Sequence, residues 1–275
     1  MFKKLFDLFI FSSLFIAICA VMMTLQTNEL LKLSYPIERY LGFVFFSTIC
    51  SYNFHWYLTP EAYQEQTRAV WTQHHKTLHL VLFFIGAAGS GFFYFSLIKY
   101  WFWMSVPAVL TFLYSAPKVP YFSWLKKVAI GKTLYLTLVW LYVTTLAPVI
   151  LGGRNWQPAY IYYTLSRFFL VYAICIVFDY RDRENDRKDG VRSMITYLSE
   201  TGVNVLFYGS LLAFFGFTVA LYFVGYSLPI IIALLVPGFI VLALYKTAKN
   251  NFSDYLYYFV LDGLMMLSSL FTIFL

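Results

Sequence analysis

Apolar stretches of roughly twenty residues recur along the whole sequence, and a stretch of that length crosses the ~30 Å hydrocarbon core of a bilayer as one helix. About nine spans can be drawn, near 5–26, 38–58, 77–98, 100–117, 128–151, 159–180, 202–224, 228–246 and 254–275. The chain therefore reads as an all-α polytopic membrane protein, a bundle of about nine transmembrane helices forming one domain over 1–275. With 61% hydrophobic and 12% charged residues, a water-soluble globular fold is excluded. Lys3 and Lys4 precede the first span, as in a signal peptide. No small-residue cleavage site follows, so the segment is expected to stay as a helix.

The few charges fix an orientation. With the N-terminus in the cytoplasm, fifteen of the twenty lysines and arginines fall on the cytoplasmic side, and four (Lys32, Arg39, Lys99 and Arg154) fall on the other. Arg167 lies inside a span. That asymmetry is the positive-inside pattern. It accounts for the net charge of +7 and calls for no nucleic-acid partner. Cys19, Cys50 and Cys175 all lie in apolar segments and suggest neither a disulfide framework nor a metal cluster.

One polar stretch stands out, Ile176 to Tyr197, at the cytoplasmic end of the sixth span. Asp179, Asp182 and Asp186 are spaced i, i+3, i+7 and share one face if the helix continues through them. Hard divalent cations take carboxylate oxygens from one side and leave positions for phosphates. Arg181, Arg183, Arg187, Lys188 and Arg192 are interleaved with the acids. Both signs of charge suit a site for Mg²⁺ and a diphosphate; the plainer reading is a solvated loop with balanced charges.

Two other cytoplasmic loops carry candidates. Thr59-Pro60-Glu61 has the N-cap, proline and acid of a helix start, so a short helix is expected over the cytoplasmic mouth. The fourth span closes in Tyr114-Ser115-Ala116-Pro117-Lys118, and Lys126, Lys127 and Lys132 follow. Such lysines bind anionic lipid, set topology or contact a diphosphate. No Gly-rich phosphate loop, Ser/His/Asp set or Cys/His zinc spacing appears. His74, His75 and His79, at the start of the third span, have no carboxylate or cysteine at ligand spacing and read as interfacial.

About nine spans, the D-x-x-D-x-x-x-D at Asp179, Asp182 and Asp186, and Tyr114-Ser115 closing span four together resemble the UbiA superfamily of intramembrane prenyltransferases. The resemblance covers essentially the whole chain and implies a nine-helix bundle with two aspartate-rich motifs that bind Mg²⁺ and a polyprenyl diphosphate. It implies Asp179, Asp182 and Asp186 as metal-binding and catalytic, and Asn53, Tyr114, Ser115, Lys118, Arg187 and Lys188 around the diphosphate. The first motif departs from the pattern N-x-x-x-D-x-x-x-D. Asn53 matches, Tyr57 replaces an aspartate, and Glu61 stands beyond Pro60 at the last position. Asn53 and Glu61 are what remains there to touch a metal. The implied activity is Mg²⁺-dependent transfer of a prenyl group to an aromatic or quinone-precursor acceptor, at a site facing the cytoplasm. Tyr57 keeps a second reading open, a non-catalytic relative that binds isoprenoid lipids. A small transporter is a third, against which stands the lack of matching Gly/Pro-broken spans.

Two charges fall within spans, Arg167 and Asp262. Charges at such depth usually face the bundle interior and pair. Helical rise puts their depths ~6 Å apart, so both are expected to point inward, as a direct pair or through other polar groups.

Overall fold

The computed structural model describes residues 2–59, 67–115, 131–153, 155–188 and 193–275, with residues 113–115 as backbone only. All regular structure among them is helical. In chain order the helices are α1 Phe2–Phe11, α2 Leu14–Leu31, α3 Ile37–Tyr57, α4 Thr67–His74, α5 Lys76–Ser96 and α6 Trp101–Ser115. After them come α7 Lys132–Leu151, α8 Pro158–Lys188, α9 Met194–Tyr197, α10 Glu200–Phe223, α11 Leu228–Asn250 and α12 Leu256–Thr272. Among the described residues six of these, α2, α5, α7, α8, α10 and α11, are long and apolar enough to cross a membrane. The more polar α3 and the shorter α6 and α12 occupy the other three expected spans.

Burial separates centre from rim. The apolar windows of α8 and α2 are 67% and 61% buried, so these two helices form the middle of the bundle. The window of α5 is only 11% buried, which leaves it at the periphery, packed on α3. Gly86 makes that packing close. A Cβ there would stand 2.5 Å from the Cys50 amide nitrogen and 2.8 Å from the Phe46 carbonyl oxygen. Small residues let apolar helices approach backbone to backbone, and contact of that kind holds helices together where lipid removes the hydrophobic drive.

The first expected span, 5–26, is interrupted. Ser13 adopts the left-handed conformation with φ 70°, so α1 turns away from α2. Serine offers the backbone alternatives to a helical ladder, and both serines are used from outside. The Ser12 carbonyl accepts from Asn53 Nδ2 at 3.1 Å and Ser13 Oγ accepts from Arg68 Nη2 at 3.4 Å. α1 then packs along α4 and the start of α12, where Phe11 meets the rings of Trp71 and Tyr255.

Other irregularities are satisfied locally, as hydrocarbon requires. Pro107 inside α6 leaves the Trp103 carbonyl without its helical amide. The Tyr142 hydroxyl donates to that oxygen at 3.0 Å. α7 contains a π-helical turn, Tyr142–Leu146. Carbonyls within it accept from the hydroxyls of Tyr40 at 2.7 Å and Thr27 at 2.8 Å. A second π turn, Leu256–Leu261, opens α12.

Arg167 points inward, 1% exposed, but not to Asp262. Its Nη1 donates to Ser268 Oγ at 3.1 Å and Gln26 Oε1 at 3.3 Å, and its guanidinium lies 5.4 Å from the centre of the Tyr163 ring. Asp262 and Ser268 are six residues apart, ~9 Å along α12, so the level of Arg167 is met by Ser268.

Candidate functional site

The polar end of α8 continues the helix unbroken to Lys188, so Asp179, Asp182 and Asp186 do share a face. Their hydrogen bonds and ion pairs among the described residues run in two directions. α7 begins beside this end of α8, and its first residue, Lys132, places an ammonium between two of the acids. Lys132 Nζ stands 2.9 Å from Asp186 Oδ2, 3.2 Å from Asp186 Oδ1 and 3.6 Å from Asp179 Oδ1. The next residue, Thr133, donates its hydroxyl to Asp179 Oδ2. Asp182 turns instead to its neighbour, with Arg181 Nε 2.9 Å from Asp182 Oδ1. Asp179 and Asp186 are buried, whereas the Asp182 side chain is 32% exposed. Asp186 lies beyond the span at 159–180; burial pushes its carboxyl up to about 6, with Lys132 pulling the other way.

Lys132, Asp179 and Asp182 form one end of a cavity of about 490 Å³ bordered by α2, α3, α5, α6, α7, α8 and α12; Asp186 lies behind Lys132, outside its lining. Lys132, Asp179, Arg181 and Asp182 line the charged end. The walls are aromatic, with Phe43, Tyr52, Trp56, Trp140, Phe178 and Tyr258 among them, and Asp262 is set into the wall formed by α12. That volume lies in the range of small-molecule sites, in which a few polar groups orient a mostly apolar ligand.

Beside the charged end is a constellation that sequence spacing does not reveal. Arg68, on α4, is 2% exposed, and its guanidinium lies 4.1 Å from the ring centres of both Trp56 and Tyr258. Its backbone amide donates to Asp254 Oδ2 at 2.7 Å. Arg181 donates through Nη2 to the Tyr258 hydroxyl at 2.8 Å and stacks over Tyr257 at 4.4 Å. Arg181 Nη1 stands 3.8 Å from Asp254 Oδ1, beyond hydrogen-bond reach, and has no hydrogen-bond partner among the described residues. Arg68 and Asp254 are 186 positions apart, in stretches that sequence reading treats as topology markers or span ends.

Several residues expected at the site lie elsewhere. Asn53 is fully buried. Its Nδ2 donates to the carbonyls of Ile49 at 2.8 Å and Ser12 at 3.1 Å, and its Oδ1 meets His79 Nδ1 at 2.7 Å. His79 is therefore a buried partner of Asn53 rather than an interfacial residue. Tyr57 is 37% exposed and absent from the cavity lining. The face of α3 that reaches the cavity carries Thr48, Ser51, Tyr52, His55 and Trp56, with no carboxylate. The helix rotates the N-x-x-x-Y frame away from the ligand space. Arg187 is exposed and donates to Glu184 and to the Thr196 carbonyl, which ties α8 to α9. Lys188 is also exposed. Glu61 and Lys118 lie outside the described residues, as do the side chains of Tyr114 and Ser115.

Among the described residues no three histidine, cysteine or carboxylate groups converge as a ready metal cage. Asp179 and Asp186 nevertheless flank one cation position, taken by the Lys132 ammonium. Mg²⁺ is commonly held by one or two carboxylates together with substrate phosphates and water. That pair fits one such ion; Asp182, on the same face, is turned to Arg181.

No protein-family model matches the sequence, and no curated protein does. A solved structure does match: a UbiA homolog from Archaeoglobus fulgidus bound to GPP and Mg2+. The likeness covers 97% of both chains with a TM-score of 0.59 at 14% sequence identity. The chain therefore has the UbiA fold.

Proposed function

We propose that this protein is an integral-membrane prenyltransferase of the UbiA superfamily that transfers the prenyl group of an allylic diphosphate to an aromatic or quinone-precursor acceptor. The observation that carries the reading is a carboxylate-and-cation end opening directly onto an aromatic cavity of about 490 Å³, in a fold shared with a protein bound to GPP and Mg2+. The diphosphate would sit at the charged end and the prenyl chain among the rings.

Asp179 and Asp186 are the residues that would hold Mg²⁺. When bound, the ion neutralises charge on the leaving diphosphate. Lys132 and Arg181 Nη1 add fixed positive charge at the same end; preorganised charge of this kind is worth most where water is excluded. As the allylic C–O bond breaks, its electron pair leaves with the diphosphate and the prenyl carbon becomes cationic. Trp56, Phe178 and Trp140 present π faces that attract such a cation and keep water from it. The acceptor supplies the electron pair for the new bond, and the proton it then loses leaves with the departing diphosphate. With the positive-inside orientation, the charged end faces the cytoplasm.

The second reading, an isoprenoid-lipid carrier, rests on the cavity face of α3, which lacks any carboxylate. Asp179→Asn and Asp186→Asn separate the two. Each should lower Mg²⁺-dependent consumption of GPP about a hundredfold or more, the scale of losing one preorganised charge-stabilising group, while the protein extracts as a folded monodisperse species. Unchanged consumption in both would overturn the assignment; GPP binding without any consumption by the wild type would favour the carrier.

A further inference from the structure

Among the described residues, Asp262 is the one carboxylate of the cavity wall that the charged end does not use. It follows directly on the π turn Leu256–Leu261, and π turns recur at functional sites because they re-aim the residues around them. The residue is 8% exposed and lines the cavity. Asp254, eight residues earlier on the same side of the bundle, accepts from the Arg68 amide. Asp262 is bonded to nothing among the described residues: no amide, hydroxyl or cation donates to it.

The cavity around it is walled mostly by apolar and aromatic side chains, and the guanidiniums of Arg68 and Arg181 act on it through space. Ala20, Phe43, Trp140, Ile174 and Met265 line the same space. A carboxyl held in such a wall without a donor is costly unless something else supplies one. Here the open side of the carboxylate is the cavity.

We infer that Asp262 recognises the acceptor, by accepting a hydrogen bond from a hydroxyl on an otherwise apolar, aromatic-sized molecule. This rests on the reading that the cavity takes a prenyl chain and an acceptor. The chemistry points to a neutral donor. Arg68 and Arg181 already act on Asp262 electrostatically, and their field disfavours a second cation such as an amine. A phenol or quinol hydroxyl meets both conditions.

The test uses binding alone, so that it stands apart from turnover. The full-length protein in lipid nanodiscs is titrated calorimetrically with 2-naphthol and with 2-methoxynaphthalene, with empty nanodiscs subtracted. The two differ in one hydrogen-bond donor. The wild type should bind 2-naphthol at least tenfold more tightly, about 1.4 kcal/mol. Asp262→Leu should bring the ratio to about one and leave the affinity for the ether within about twofold. Asp262→Asn, which keeps an acceptor oxygen, should retain part of the preference. The inference is overturned if the wild type binds 2-naphthol no better than the ether. It is equally overturned if the preference survives in Asp262→Leu. Failure of both variants to give a monodisperse folded species would show that the carboxylate serves the fold, and would overturn it too. Absence of GPP turnover alongside a normal naphthol preference would count against the prenyltransferase reading and leave this one standing.

Discussion

Lys132 joins the two acids that the site turns on. Its ammonium lies in the position that Asp179 and Asp186 would give to a divalent ion. Ammonium and ion compete for that place in the absence of substrate. Lys132→Met should therefore bind Mg²⁺ more tightly than the wild type when no diphosphate is present, by about tenfold or more in a calorimetric titration. Equal or weaker binding would show that the two cations do not share a position. The aspartates were legible from their i, i+3, i+7 spacing, because a helix face follows from spacing alone. Lys132 was visible only as one of several loop lysines. Tyr57 teaches the converse. As a motif position it looked decisive, yet it is exposed and outside the cavity lining. Tyr57→Asp should leave GPP consumption within about twofold of the wild type, and a dead enzyme would contradict the placement.

Elements were legible where apolar length decided them and obscure where side chains from elsewhere did. The apolar cores of α2, α5, α7, α8, α10 and α11 fall within or close to the expected spans, since twenty apolar residues leave a chain in lipid little choice. The break at Ser12-Ser13 was not legible. It depends on Asn53 and Arg68, whose arrival no local pattern announces. The π turn in α7 is similar: its carbonyls are met by the distant hydroxyls of Tyr40 and Thr27. The contact of α3 with α5 is the place to test packing. At Gly86 an added methyl meets backbone atoms of α3 rather than a side chain that can rotate. Gly86→Ala should cost about 1–3 kcal/mol, the usual scale of overpacking. It should lower the thermal midpoint of the detergent-solubilised protein, and an unchanged midpoint would contradict so close an approach.

At the scale of the whole molecule, several charged groups distant in sequence pair with one another. Lys132, Asp186, Arg68, Asp254, Lys249 and Glu200 come from different loops and helix ends, and they meet in ion pairs and hydrogen bonds. Sequence charge counting placed these loops on one side but gave no sense of who pairs with whom. It put Arg167 and Asp262 inward on depth, as a direct pair or through other polar groups; both are buried, with Arg167 on Gln26 and Ser268 and Asp262 on the cavity. The fold is shared with a protein bound to GPP and Mg2+ at only 14% identity, so the chemistry must be asked of this chain directly. The most direct measurement is diphosphate release from GPP by the purified protein in nanodiscs, with Mg²⁺ and with the metal chelated. The account predicts release that requires Mg²⁺ and falls about a hundredfold or more in Asp179→Asn. Release at the same rate with the metal chelated, or no release at all from a protein that binds GPP, would contradict it.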